Sequence, residues 1–368
     1  MKIENNEYFE KIKKITAFPV HLHWDGSIPA KELFDWSKQK GITLYYPERD
    51  RERNIINYKS EKEKIIDNFE KLKEFFMDLN TYHIVDVFNI PVSFMQTKED
   101  LIEMAKAHCR YLKSQNIEYA ETRFAPQYHR QQGLTYNQVL GYALEGFEHG
   151  FEETGVKAKL IISLGREANV EKTKKVVEAV LDFQNEIAGI DLATEERGNP
   201  PEKHYEAFKL TFDTPLKRTV HAGEMCEEEE NLKNIYTSLT LLKADGLGHA
   251  IPLHKRYYGK HDLFELIHER NVRIESNPVS NHFLFGYALD YHKLDVLIEN
   301  NILVTVNPDD PAMWPYGDLC HSLYFAGQVY GWDIIPKLAE NSIKSAWGLS
   351  EKEKQNYINK LKNQLADW

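Results

Sequence analysis

The stretch Glu118-Tyr119-Ala120-Glu121-Thr122-Arg123-Phe124, closed by Pro126, leads into a helical pattern over 135–153 that stops at Gly155. The run Ala158-Lys159-Leu160-Ile161-Ile162-Ser163-Leu164 follows. Strand, helix and strand in that order make a βαβ unit, with parallel strands side by side and the helix outside them. The same rhythm extends in both directions. Before it, residues 98–114 are helical. After it come helix 171–185 and the short strand Ile187-Ala188-Gly189-Ile190-Asp191-Leu192. Arg218-Thr219-Val220-His221, Gly246-Leu247-Gly248-His249, Val272-Arg273-Ile274-Glu275-Ser276 and Ile302-Leu303-Val304-Thr305-Val306 are further strands, with helical patterns over 228–242, 261–270 and 294–299 between them. Counted from Val20 there are about eight strand-helix units, which predicts a (β/α)₈ TIM barrel. An open doubly wound sheet is disfavoured, because no Gly-x-Gly-x-x-Gly turn is present.

The 368 residues fit one barrel domain, 1–368. With 42% hydrophobic and 28% charged residues the chain has the balance of a soluble globular protein. Its net charge of −11 argues against a nucleic-acid partner, since phosphate backbones call for basic patches. No apolar run approaches membrane-spanning length, and residues 1–14 lack the apolar core of a secretory signal. The three cysteines, Cys109, Cys226 and Cys320, are far apart and form no Cys-x-x-Cys pair, which suits a cytoplasmic setting.

Two regions depart from the rhythm. After the first strand, apolar residues Ile65, Phe69, Leu72, Phe76, Leu79 and Tyr82 recur at spacings of three and four, which predicts an amphipathic helical insertion over about 61–97. It reads as a lid, with Phe69, Leu72 and Phe76 as an apolar wall for a flat ligand. Beyond Leu319, residues such as Leu323, Val329, Ile335, Leu338, Ile343 and Leu361 mark extra C-terminal helices.

Polar residues gather where the predicted strands end, which is where barrel enzymes carry their chemistry. His21 and His23 alternate in Pro19-Val20-His21-Leu22-His23-Trp24-Asp25-Gly26, so a strand turns both to one face. His221 opens His221-Ala222-Gly223-Glu224, His249 follows Gly248, and Asp309-Asp310 follows the last strand. Buried imidazoles and carboxylates are costly unless paired or metal-bound. Three imidazoles and one carboxylate suit Zn²⁺ with a position left for water, whose pKa the ion would lower to give a hydroxide nucleophile. Glu224, just past its strand, is placed to move protons, as hydrolytic removal of an amine requires.

These motifs, with Ser276-Asn277-Pro278-Val279-Ser280-Asn281 and Tyr119-Ala120-Glu121-Thr122-Arg123-Phe124-Ala125-Pro126, stand in the order seen in the adenosine deaminase family of the amidohydrolase superfamily, and the sequence resembles that family from His21 to Asp310. The resemblance implies one Zn²⁺ held by His21, His23, His221 and Asp309. It implies Glu224 as proton donor to the purine ring, His249 as the group that orients the attacking water, Asp310 as partner of the purine imidazole ring, and Asp25 as acceptor of a ribose 5′-hydroxyl. The reaction implied is adenosine, or 2′-deoxyadenosine, to inosine and ammonia. The substrate is then a free purine nucleoside, since the His-x-Glu and Pro-Cys-x-x-Cys signature of nucleic-acid editing deaminases is absent. Thr194 stands where the family has a glycine whose N–H meets the purine, Trp24 replaces a smaller residue, and Pro308 precedes the Asp-Asp pair. These departures predict a reshaped pocket and leave open adenine or a 5′-substituted adenosine such as aminodeoxyfutalosine. Another amidohydrolase-type hydrolysis is the more distant reading.

Overall fold

The structure is a computed structural model, and it describes residues 1–3, 6–366 and 368. Eight strands form one sheet in the order of the chain: β1 Leu22–His23, β2 Tyr119–Phe124, β3 Lys157–Gly165, β4 Gly189–Ala193, β5 Lys217–Ala222, β6 Gly246–His249, β7 Arg273–Ser276 and β8 Leu303–Val306. Every neighbouring pair is parallel. The ends meet beyond β8, where Asp309 bridges Leu22 in parallel fashion, His23 N–H donates to the Asp309 carbonyl at 2.9 Å, and Asp309 N–H donates to the His21 carbonyl at 3.3 Å. Asn307 strengthens this seam, its Oδ1 accepting from the N–H groups of Val20 (2.8 Å) and His21 (3.1 Å). The barrel is thus closed beside the residues expected to carry its chemistry.

Local signals account for the outer helices. Thr97 caps Lys98–Ser114 by accepting from Asp100 N–H. Tyr136–Thr154 begins with a Thr135/Gln138 capping box and ends at Gly155, whose φ of 74° is left-handed. These two helices pack on each other outside β2 and β3. Two predicted helices are shorter than their patterns: Val170–Leu181 ends early, and Leu263–Arg270 begins after His261–Asp262, which pairs with Tyr257–Tyr258 in a small hairpin.

Between β1 and β2 the chain makes the expected excursion. The expected start is a short helix, Glu61–Lys64, but Ile65 and Ile66 are strand, paired with Leu44–Tyr45, and the helical pattern resumes at Phe69. It forms two helices, Phe69–Met77 and Ile84–Phe94. Arg51 Nη2 donates to the Leu284 carbonyl at 3.3 Å, which ties this insertion to the helix that follows β7. After β8 the helices Leu319–Tyr330, Ile334–Ser345 and Glu351–Gln364 complete the chain. The Trp347 N–H among them donates to Glu121 Oε1 at 2.5 Å, at the barrel floor.

Candidate active site

Alternation along each strand sends every second side chain into the barrel. In β1 it turns His21 and His23 inward and Trp24 outward. Trp24 is completely buried, packs edge-on against Phe124 and Phe147, and donates its indole N–H to the Met104 carbonyl at 3.2 Å. The expectation that Trp24 reshapes the pocket is therefore corrected: it belongs to the layer between sheet and helices.

The inward groups converge. Ligand atoms of His21, His221, His249 and Asp309 lie within 4.8 Å of one another, as do those of His23, Asp309 and Asp310. His21 Nδ1–H donates to Glu275 at 2.9 Å and His221 Nδ1–H to Asp191 at 3.0 Å. Each of those rings then presents a bare Nε2 lone pair to the cluster. His21 Nε2 sits 3.1 Å from Asp309 Oδ1, and His23 Nε2 is 3.3 Å from both Asp309 Oδ1 and His221 Nε2. His21 Nε2 and Asp309 Oδ1 are buried with no hydrogen-bond partner. Lone pair facing lone pair at this distance calls for positive charge between them, and the donor set of imidazoles and a carboxylate fits a metal ion. The field has the same sense: burial opposes a charge on His23, yet Asp310 and Asp309 outweigh it and push the imidazole up to about 9.

Arg123 stands behind the histidines. It reaches Asp191 at 3.3 Å and Glu275 at 2.8 Å, and so links the two carboxylates that orient His221 and His21. Asp191, Glu275 and Arg123 carried no role in the sequence reading. The available signal was a charged residue at alternate positions of strands otherwise apolar, which marks an inward-facing polar row. Ser280 adds a bond to Asp309 Oδ2 at 2.6 Å.

Beside the cluster lies Glu224, buried, its Oε1 3.3 Å from His249 Nδ1 and accepting from Asn281 Nδ2 at 3.3 Å. Burial, then the charges of Asp309, Glu196 and Asp310, hold its carboxyl well above the usual range, against the weaker pull of Arg166. Burial and the adjacent Asp309 raise the Asp310 carboxyl in the same way, and its Oδ1 has no partner. Its seat exists because residue 26 is glycine: a Cβ there would lie 1.9 Å from Asp310 Oδ1. Asp25 is buried nearby and burial raises its carboxyl too.

On the other half of the rim Thr194 has φ +79°, a strained value for a β-branched residue. Its Oγ1 donates to Glu167 at 2.5 Å and accepts from Arg166 N–H at 3.1 Å, which turns the side chain along the rim toward the end of β3. His249 (φ +63°) and Asp309 (φ +61°) are strained in the same sense, so three residues of this site occupy a costly backbone region. Leu72 and Phe76 are wholly buried in the core, whereas Phe69 is 36% exposed. Their helix packs against Ala30–Lys40, the first helix after β1. His254 packs edge-on against Tyr291, and His282 bonds the Tyr287 carbonyl, so both keep to their own loops.

Among the described residues no helix is long and apolar enough to cross a membrane. The chain is similar to the adenosine deaminase of Clostridium acetobutylicum, 29% identical over 356 residues that cover 96% of this chain and 98% of that one. It is similar also to the adenine deaminase of Chlorobium phaeobacteroides, 26% identical over 358 residues and 96% of each chain. A solved amidohydrolase from Burkholderia ambifaria with bound Zn shares the fold with a TM-score of 0.76 at 16% identity, over 100% of this chain and 97% of that one. The adenosine deaminase family itself is matched from residue 17 to residue 364, a span that holds all eight strands and every residue of the cluster. The chain belongs to the adenosine deaminase family of hydrolytic deaminases.

Proposed function

We propose that this protein is a Zn²⁺-dependent aminohydrolase that converts adenosine, and 2′-deoxyadenosine, into inosine and ammonia. The observation that carries the reading is the buried Glu224 carboxyl, 3.3 Å from His249 and beside a metal-fitting cluster. When water adds to an aminopurine the ring nitrogen must gain a proton, and the departing amine must gain another. Glu224 donates the first to the purine and passes the second to the amine. His21, His23, His221 and Asp309 are the residues that would hold Zn²⁺, a choice supported by the donor chemistry and by the zinc in the similar amidohydrolase. Bound there, the ion supplies a water made nucleophilic near neutral pH.

The remaining roles fall to the chain. His249, kept neutral by burial, orients the attacking water, and Asp309 accepts a hydrogen bond from it. Asp310, as a neutral carboxyl, donates to the purine imidazole ring. The Thr194 N–H meets the purine, and Asp25 accepts from the ribose 5′-hydroxyl. The insertion over 61–97 covers the base, with Phe69 as the exposed residue of its apolar wall and Leu72 and Phe76 packed behind it. The substrate is a free small molecule, turned over in the cytoplasm.

The test is ammonia release by zinc-loaded protein from adenosine, 2′-deoxyadenosine, adenine, AMP and 5′-substituted adenosines. The two nucleosides should lead. Silence on every aminopurine would overturn the function, and a preference for AMP would overturn the role of Asp25, because a carboxylate there repels a phosphate. Adenine is the second reading, favoured by the similarity to the Chlorobium enzyme. The same panel ranks the two.

A further inference from the structure

Past β4 the chain runs through Thr194 and Glu195 to Glu196, which is 1% exposed and turned toward the loop that follows β5. Its Oε1 accepts from Gly223 N–H and from Asn234 Nδ2, both at 2.9 Å. Its Oε2 accepts from Glu224 N–H at 2.9 Å and Met225 N–H at 3.0 Å. Three successive backbone N–H groups around one carboxylate form a nest, a concave arrangement that takes an anion. Gly223 permits the curl, with φ at +82°, and a Cβ there would come within 2.7 Å of Ile235 Cδ1. Asn234 lies on the helix Glu228–Thr240 that ends the loop, so one carboxylate fastens the loop to its own helix. The Glu196 N–H faces Met225 Sδ at 3.5 Å from the same side.

Such bonds to an ionised acceptor are about twice as strong as neutral ones, and three of the four donors, on Gly223, Glu224 and Asn234, are buried. Without the carboxylate, three adjacent N–H groups would lose their partner and the loop would have to rearrange to satisfy them. The residue in the middle of that loop is Glu224. The partners of the Glu196 carboxylate all belong to the Glu224 loop and the helix behind it, so it acts on the chemistry through Glu224.

We infer that Glu196 is a positioning residue of the deamination reaction: it locks the backbone of the 223–225 loop so that the Glu224 carboxyl is held at the purine nitrogen it protonates. This rests on Glu224 being the proton donor of the proposed function. Misplacement of a catalytic acid by a fraction of a bond length raises the barrier while leaving substrate binding nearly intact.

The experiment is a double-mutant cycle on the full chain, with ammonia release read for wild type, E196A, E224Q and E196A/E224Q on the aminopurine the wild type prefers. E196A should lower kcat about 10–100-fold, the usual scale for a residue that orients a catalytic group, with KM within about threefold and zinc content equal to wild type. In the E224Q background the same substitution should cost less than about twofold, because its target is already gone. An equal loss in both backgrounds, or an E196A enzyme as fast as wild type, overturns the inference. Should E196A fail to fold, E196D, which keeps the charge but shortens its reach, and N234A, which removes one donor, enter the same cycle. Their smaller kcat losses should also vanish beside E224Q, and additive losses overturn the inference equally. A wild type that releases no ammonia overturns the function and this role together, whereas an active wild type with an additive cycle overturns this role alone.

Discussion

Two collections of charged side chains are buried one above the other in this barrel, and they are built differently. At the floor, Arg273 contacts Glu121 at 2.6 Å and Glu275 at 2.8 Å, donates to the carbonyls of Ser345 (3.0 Å) and Val20 (3.2 Å), and lies 3.3 Å over the Trp347 ring. Tyr119 completes it with a bond to Glu121 at 2.7 Å. At the mouth, His21, His23, His221 and Asp309 turn lone pairs on one another with no donor between His21 and Asp309. Within the floor each carboxylate meets a guanidinium, Glu121 that of Arg273 and Glu275 those of Arg273 and Arg123. At the mouth the balance is left to a cation, and that difference separates a structural network from a site. Glu275 belongs to both: Oε1 meets Arg273 and Oε2 meets His21, so the floor fixes the direction of a mouth histidine.

The strongest test of this contrast is to change the mouth alone. Asp309→Ala should abolish ammonia release and bring bound zinc, measured by elemental analysis, below one ion per chain. Full zinc with retained activity would break the contrast. Glu224→Gln should follow, with kcat down about 10²–10⁴-fold, the range for a general acid, and zinc retained. A parallel loss of zinc would mean that Glu224 belongs to the metal cluster. At the floor, Arg273→Met leaves the buried Glu121 carboxylate without its guanidinium partner, while Glu275 keeps Arg123, and should cost about 3–5 kcal/mol in denaturant unfolding. A variant as stable as wild type would show that the floor is not held by its charges.

Smaller effects sharpen the picture. Thr194→Gly releases a left-handed conformation that costs about 1–2 kcal/mol but loses bonds worth about 0.5–1.5 kcal/mol each, so its melting temperature should stay close to wild type. A large drop would show that the bond to Glu167 dominates the rim. The smallest effect belongs to a charge outside the barrel. Glu353 is lowered to about 2 by the Ser350 hydroxyl, then Lys157 and the Ser350 N–H. A depressed carboxyl stabilises the fold above its unfolded value and loses that contribution as pH falls toward 2. Its side chain is 41% exposed, so solvent screens most of the gain. The melting-temperature difference between wild type and Ser350→Ala should therefore be modest at neutral pH and shrink on acidification. A difference independent of pH would assign it to the cap alone.

Much of the architecture can be read from local pattern. The βα rhythm announces the barrel, and the strand-end residues that meet at the mouth are visible one motif at a time. The period of two in His21-Leu22-His23-Trp24 already implies that Trp24 points away from the histidines, an implication the comparison of residue sizes obscured. Ile65 and Ile66 look helical by spacing alone, and they are strand because Leu44–Tyr45 comes back to pair with them.

What the sequence by itself determined is the set of parts: eight parallel strands, a helical insertion, and histidines and carboxylates at strand ends, because helical and strand periods and turn residues act over a few neighbours. Only the tertiary structure decided which parts touch. Glu275 orients His21 from 254 positions away, Arg123 joins Asp191 to Glu275, and Glu196 closes on the loop of Glu224. The physical reason is that a buried polar group must find its partner wherever the closed barrel brings one within about 3 Å, and that distance is set by strand order and closure rather than by proximity along the chain.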